Sequence, residues 1–229
     1  MKKIGILGGM SPTSTMIYYQ IICELTSQKF GGLHSPELII RSLDFAMIES
    51  FQNSGNWRKV ARLLNWEAKL LEQAGAEILV LATNTMHKIA DQITEGINIR
   101  FIHIADATAG LIHAQGFKRP ALIGTKYTME QSFYLDRLIN VGLDPIIPEI
   151  SSRQLIHEII YNQLCLNIIT DKSRKSLIDL TKELIDAGAD SIILGCTEVC
   201  MLLNDKNVSA KVFDTTSIHC EQAFETAIE

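Results

Sequence analysis

Two short polar runs close apolar stretches, and both hold side chains able to handle protons. Cys196-Thr197-Glu198 follows Leu194-Gly195, and Thr83-Asn84-Thr85 follows Val80-Leu81-Ala82. A thiol is both nucleophile and proton carrier, and its ordinary pKa of about 8.5 is near enough to neutrality for either role. Cys196 sits after a glycine and before two polar residues, surroundings unlike those of a core thiol. A helix N-terminus beside it would lower its pKa and favour the thiolate. Thr83 offers an alcohol, a far weaker base. Any of residues 83–85 also fits the N-cap of a following helix, so capping and chemistry both stay open there.

The two runs occupy matching places in a repeat. Ala74-Gly-Ala-Glu-Ile-Leu-Val-Leu-Ala-Thr-Asn-Thr85 aligns without gaps with Ala187-Gly-Ala-Asp-Ser-Ile-Ile-Leu-Gly-Cys-Thr-Glu198, 113 positions on. Each copy reads as a helix end, a glycine turn, a buried strand and a polar strand end. Ile6-Leu-Gly8 pairs in the same way with Leu122-Ile-Gly124, 116 positions on. Ligands bind beyond the carboxyl ends of strands in open parallel sheets. If the two copies face each other, Thr83 and Cys196 flank one atom from opposite sides.

The elements that must position these groups alternate along the chain. Apolar runs at 3–7, 37–42, 78–81, 100–103, 120–123, 144–147, 191–194 and 211–213 read as buried strands. Amphipathic stretches at 13–29, 57–74, 86–95, 131–140, 154–166 and 173–187 read as helices. Strands separated by such helices imply crossover units and parallel sheets. The fold class is therefore α/β, with two similar Rossmann-like, doubly wound parallel-sheet domains related by pseudo-two-fold duplication. The first comprises 1–104 plus 209–229 and the second 105–208, with the active site in the cleft between them. The return of the last strand and helix to the first domain follows from the strand after Cys196 having no evident counterpart to complete the second.

Gly8-Gly9-Met10-Ser11-Pro12 is a glycine turn opening a helix, with Pro12 suited to its first position. It lacks both the dinucleotide glycine spacing and a phosphate-loop lysine. Free amides there suit a small carboxylate, or the turn is simply capped. Gly124-Thr125-Lys126-Tyr127-Thr128 is its counterpart.

Bulk properties narrow the class further. The 229 residues are 47% apolar with a formal net charge of −5. That supports a sizeable core and argues against nucleic acid or an anionic membrane as partner. No apolar run approaches the ~20 residues that span a bilayer. Residues 4–9 read as a buried strand of a cytoplasmic protein rather than a signal peptide. The five cysteines, Cys23, Cys165, Cys196, Cys200 and Cys220, form neither a disulfide framework nor a zinc pattern. Cys23 and Cys165 lie in apolar helix-like stretches and read as inert core thiols. His87 follows the Thr83 run and reads as a supporting residue; His103 and His219 lie near other strand ends.

On these residues the chain resembles the aspartate/glutamate racemase family. The matching stretches are Ile4-Gly-Ile-Leu-Gly-Gly-Met-Ser11, Gly31-Gly-Leu-His-Ser35, Ala82-Thr-Asn-Thr-Met-His-Lys88, His103-Ile-Ala-Asp-Ala-Thr108, Gly124-Thr-Lys-Tyr-Thr-Met129, Leu194-Gly-Cys-Thr-Glu198 and Phe213-Asp-Thr-Thr-Ser-Ile-His219. The resemblance implies racemisation of an amino acid with no cofactor and no metal, usually in a homodimer. Two cysteines flank the substrate's α-carbon, one removing a proton and the other delivering one. The second of these carries over to Cys196. Asn84, Thr85 and Thr197 match positions that hold the substrate's amino and carboxylate groups. Met10, Ser11, Thr125, Tyr127 and Thr128 belong to the turns lining the pocket, and His87 and Glu198 support them.

The chain departs from that pattern at the first cysteine, where it has Thr83, as does a subgroup of the family. The site is then asymmetric, which predicts slow turnover, a direction bias, or help from a water or from His87. The basic residues some members use for a side-chain carboxylate have no clear match. Asp44-Phe45 and Tyr161-Asn162 occupy those regions, with Arg41 nearby. Two alternatives stay open: a one-cysteine enzyme of the arylmalonate-decarboxylase type, and an amino-acid-binding protein that has lost catalysis.

Overall fold

The computed structural model describes all residues, Met1–Glu229. The chain divides into two compact units, one of Met1–His103 with His219–Glu229 and one of Ile104–Ile218. No helix is long and apolar enough to cross a membrane.

The first unit runs β1 (Ile4–Gly8), α1 (Pro12–Phe30), β2 (Leu38–Ser42), α2 (Phe45–Asn53), α3 (Trp57–Gln73), β3 (Ile78–Leu81), a 3-10 turn at Thr85–Ile89, α4 (Ala90–Ile93) and β4 (Arg100–Ile102). Its strands are all parallel, in the order β2-β1-β3-β4. Successive strand side chains point to opposite faces, and here both faces are covered. Leu7, Leu79 and Leu81 pack with residues of α2, α3 and α4, among them Ile48, Leu64, Leu71 and Ile93. Ile4, Ile6, Ile78 and Val80 pack on the other side with Tyr18 and Ile22 of α1 and with Cys220, Ala223 and Ala227 near the chain's end.

The second unit runs α5 (Ile104–Ala114), β5 (Pro120–Gly124), α6 (Lys126–Glu130), α7 (Ser132–Asn140), α8 (Ile150–Asn162), a 3-10 turn at Leu164–Leu166, α9 (Asp171–Asp186), β6 (Ser191–Gly195), a 3-10 turn at Val199–Met201, β7 (Lys211–Asp214) and the start of α10 (Thr215–Ile228). Its sheet is β5-β6-β7, again parallel. The expected strand at 144–147 makes only a single bridge, Ala121 to Ile146. Asp144 and Ile146 donate to the Lys118 and Pro120 carbonyls, and the ladder stops at Pro148, which has no amide to donate next.

The two units share one topology. Segment 144–147 lies beside β5 as β2 lies beside β1, and β5-β6-β7 repeats β1-β3-β4. The repeated turns match as well: Gly75 and Gly188 both adopt left-handed backbone, φ 94° and 97°, before β3 and β6. This corrects one expectation. The strand at 211–214 does not return to the first sheet but pairs with β6, because it is the counterpart of β4. The chain returns later, between Ile218 and His219. The helices after these matched strands are exchanged: α5 follows β4 yet packs into the second core, while residues 219–229 of α10, after β7, complete the first.

Gly9 shows how tightly the turn after β1 is built. Its φ is 85°, and a Cβ there would collide with the backbone of Leu43. Gly9→Ala is expected to destabilise the first unit by on the order of 3 kcal/mol or more, through strain and collision together. Urea unfolding measures it, and a loss within 0.5 kcal/mol or so, the range of a neutral surface change, would contradict this geometry.

Candidate active site

In the first unit, the residues singled out from the sequence gather at the carboxyl ends of the adjacent strands β1 and β3. Met10 and Ser11 follow β1; Thr83, Asn84 and Thr85 follow β3; all five are buried. Ser11 caps α1, its hydroxyl accepting from the Ser14 amide at 3.3 Å. Ser14, which no sequence pattern singles out, ties the two turns together by donating to the Ala82 carbonyl at 3.0 Å. The stretch after Thr83 is not the helix expected over 86–95. It is a 3-10 turn followed by one turn of α-helix, and Asn84 makes no side-chain cap bond there.

His87 anchors this run. Its Nδ1 lies 2.8 Å from the Thr83 carbonyl, which can only accept, so the proton is on Nδ1. The ring packs edge-on against His103, centroids 4.5 Å apart, and against His219 at 5.7 Å. The two ring nitrogens of His219 are both spoken for. Nε2 donates to the Ile102 carbonyl at 2.8 Å, so Nδ1 is the acceptor of the Tyr18 hydroxyl at 2.7 Å. Burial pushes the His219 pKa down to about 4. The neutral ring belongs to the folded state, so its contribution is complete above the ordinary histidine range and is lost as pH falls through about 4. Acidification from neutrality to pH 4 is expected to cost roughly 3 kcal/mol through this residue. Urea titrations of wild type and His219→Gln at both pH values measure it; equal pH slopes in the two proteins would refute it.

In the second unit the matching ends of β5 and β6 hold Thr125, Tyr127 and Thr128, and Cys196, Thr197 and Glu198. Thr125 caps α6, its hydroxyl 3.3 Å from the Thr128 amide and 3.2 Å from the Thr128 hydroxyl. Thr128 is fully buried. Its side chain lies over Gly124 and Gly195, the paired carboxyl ends of β5 and β6. Tyr127 is half-buried, its ring 6.1 Å from that of His157.

Cys196 is 5% exposed and donates its thiol proton to Glu198 Oε2 at 3.0 Å. The Thr197 hydroxyl donates to the same oxygen at 2.8 Å. Burial, and then the charge of Glu198, push the Cys196 pKa well above its usual value. This reverses the expected lowering. The helical segment next along the chain is only the three-residue 3-10 turn at Val199–Met201, too short to offer a helix dipole, and the nearest charge is negative. Cys165 packs half-buried against the second core, where burial pushes its pKa well up and keeps it the inert thiol expected, and its Sγ lies 4.0 Å from Glu198 Oε1. Only the fold could show that, because Cys165 and Glu198 are 33 positions apart.

Arg41 is engaged within its own unit. It forms a two-pronged pair with the buried Glu67 of α3, at 2.5 and 2.9 Å. Asp44 caps α2 by accepting from the Ala46 amide at 3.1 Å.

Residues 7–223 match the Asp/Glu/Hydantoin racemase family. The broad specificity amino-acid racemase RacX of Bacillus subtilis (strain 168) is 22% identical over 224 residues, 93% of each chain. Among solved structures, a Yersinia pestis protein provisionally described as an Asp/Glu racemase is 44% identical with a TM-score of 0.92, both chains covered in full. An aspartate racemase homologue from Pyrococcus horikoshii OT3 is 36% identical with a TM-score of 0.86, again over the full length of both. The chain belongs to the Asp/Glu/hydantoin racemase family.

Proposed function

We propose that this protein is an amino-acid racemase that moves the α-proton with its own side chains, Cys196 serving one face of the α-carbon and Thr83 the other. The observation that carries the reading is the Cys196 thiol at the end of the central strand β6, held against the Glu198 carboxylate at 3.0 Å. Its counterpart at the end of β3 in the matching topology is Thr83. Asn84, Thr85 and Thr197 hold the substrate's amino and carboxylate groups, with Met10, Ser11, Thr125 and Tyr127 around them. Thr128 lines the pocket with them, and His87 and Glu198 act from behind. With Arg41 committed to Glu67, no arginine is assigned to a side-chain carboxylate, and the substrate range extends from aspartate and glutamate to neutral amino acids.

The test is proton NMR in deuterium oxide with each enantiomer of aspartate, glutamate and a panel of neutral amino acids. Disappearance of an α-proton signal is the expected result. A folded protein that exchanges none of them would end the racemase reading. Release of carbon dioxide from a disubstituted malonate would then point to the one-thiol decarboxylase alternative, and ligand-dependent thermal stabilisation without exchange to a binding protein.

A further inference from the structure

Arginines in this protein find an oxygen partner, and the two exceptions share one place. Of the eight arginines, Arg41, Arg100, Arg119, Arg137 and Arg153 pair with carboxylates, and Arg174 donates to the Leu202 carbonyl. Arg58 and Arg62 have neither kind of partner, and both line a cavity of about 400 Å³ in the first unit. Local sequence builds that cavity. Asn56 caps α3, its side chain accepting from the Lys59 amide at 3.3 Å. Positions 57, 58, 61, 62 and 65 then fall on one face of the helix. Ala61 is small, and with the buried Ile89 it forms an apolar base between α3 and the turn that precedes α4. The Asn65 amide fixes the far side by donating to the Ile93 and Glu95 carbonyls at 2.9 and 2.8 Å. Trp57 supplies a wall, with the Lys88 ammonium 4.2 Å from its ring centroid. The remaining polar lining is Gln92 and Glu95, the one acid.

Two unpartnered guanidiniums in one hollow stand out in a chain of net charge −5. The planar fork of a guanidinium matches the oxygens of an oxyanion two at a time. One fork satisfies a carboxylate, whereas two forks one helical turn apart match the nearly double charge of a phosphate monoester. We infer that this cavity binds a small phosphate monoester, Arg58 and Arg62 holding the phosphate while Gln92 and Glu95 hold hydroxyl groups of its carbon skeleton. Glu95 repels a bare anion and accepts from a hydroxyl, so it selects a ligand that brings both. The volume agrees, since sites for small organic ligands occupy about 300–1,000 Å³, far more than a bare phosphate fills. None of the lining residues is assigned to the racemase site, and the inference stands apart from that reading.

Ribose 5-phosphate, ribose and inorganic phosphate are the probes, titrated by calorimetry and followed through the backbone amide NMR shifts of the full chain. Ribose 5-phosphate is expected to bind with a Kd of about 1 mM or tighter, inorganic phosphate more weakly and ribose not at all. The shifting amides are expected to lie in 57–65 and 89–95, a map that needs no variant. Arg58→Gln and Arg62→Gln change exposed side chains and are each expected to weaken ribose 5-phosphate about 10-fold. Glu95→Gln is expected to narrow the gap between ribose 5-phosphate and phosphate, and an unchanged gap would overturn the role given to Glu95. Absence of binding at about 10 mM ribose 5-phosphate would overturn the inference as a whole. Equal affinity for ribose and its phosphate would do the same, as would wild-type affinity in the folded Arg58→Gln/Arg62→Gln double variant. Shifts confined to 8–11 and 83–85 would place the anion at the strand-end turns instead, and the cavity on α3 would lose its ligand.

Discussion

Cys196→Ala is expected to abolish α-proton exchange, by at least about 10³-fold, with every amino acid the wild type accepts. The residue stands at the end of β6 with its thiol 3.0 Å from Glu198. Removing the sulfur takes away the only group assigned to that face able to hold the proton in transit. The cost to the fold is small by comparison, about 1 kcal/mol for a trimmed buried atom, so the variant should remain folded. Cys196→Ser sharpens the result. A hydroxyl keeps the bond to Glu198 but ionises far too reluctantly to replace the thiolate, so the serine variant is expected to be almost as inactive. Exchange at the wild-type rate in either variant would remove Cys196 from the chemistry.

Thr83→Cys is expected to act in the opposite direction and raise turnover by about 100-fold. Thr83 is set in place by backbone bonds that do not depend on its side chain: its amide donates to the Leu81 carbonyl at 2.8 Å and its carbonyl accepts from His87 at 2.8 Å. A thiol of similar volume can therefore replace the alcohol without moving the strand end. The effect must appear equally for both enantiomers in kcat/KM, because the two have the same free energy in water and their interconversion has an equilibrium constant of one. A difference between them can reside only in kcat and KM separately. Unchanged or reduced turnover in a folded Thr83→Cys protein would mean that the second face is served from elsewhere.

Much of this is legible in the residues, and the reasons differ by element. The repeat of 74–85 in 187–198 places β3 and β6 and their polar ends because a glycine turn, a buried run and a loop change together. The edge segment at 144–147 reads as a full strand because periodicity does not register that Pro148 ends the ladder. Helices α5 and α2 are both short, α5 mostly Ala and Ile with a single Asp and a single His, and neither stands out in the sequence. At the site, residue types give the position of Cys196, whereas its electrostatics depend on how the chain folds back. Burial sets the sign, and a carboxylate two positions on adds to it in the same direction. The commitment of Arg41 to Glu67 spans 26 positions and likewise comes only from packing α3 against β2.

The exchange of helices between the two units bears on the order in which the protein can be made. Residues 104–218 leave the ribosome before residues 219–229, so the unit encoded in the middle of the gene can close its core first. The first unit must wait, because Cys220, Ala223 and Ala227 complete, beside α1, the cover of one face of its sheet. Until they arrive, Ile4, Ile6, Ile78 and Val80 have α1 alone as cover on that side. N-terminal-first folding during synthesis is thus reversed here. For the same reason neither unit is a cassette: cutting the gene after His103 would yield a first half with an open sheet face, and a frameshift near residue 219 would damage the beginning of the protein rather than its neighbouring sequence.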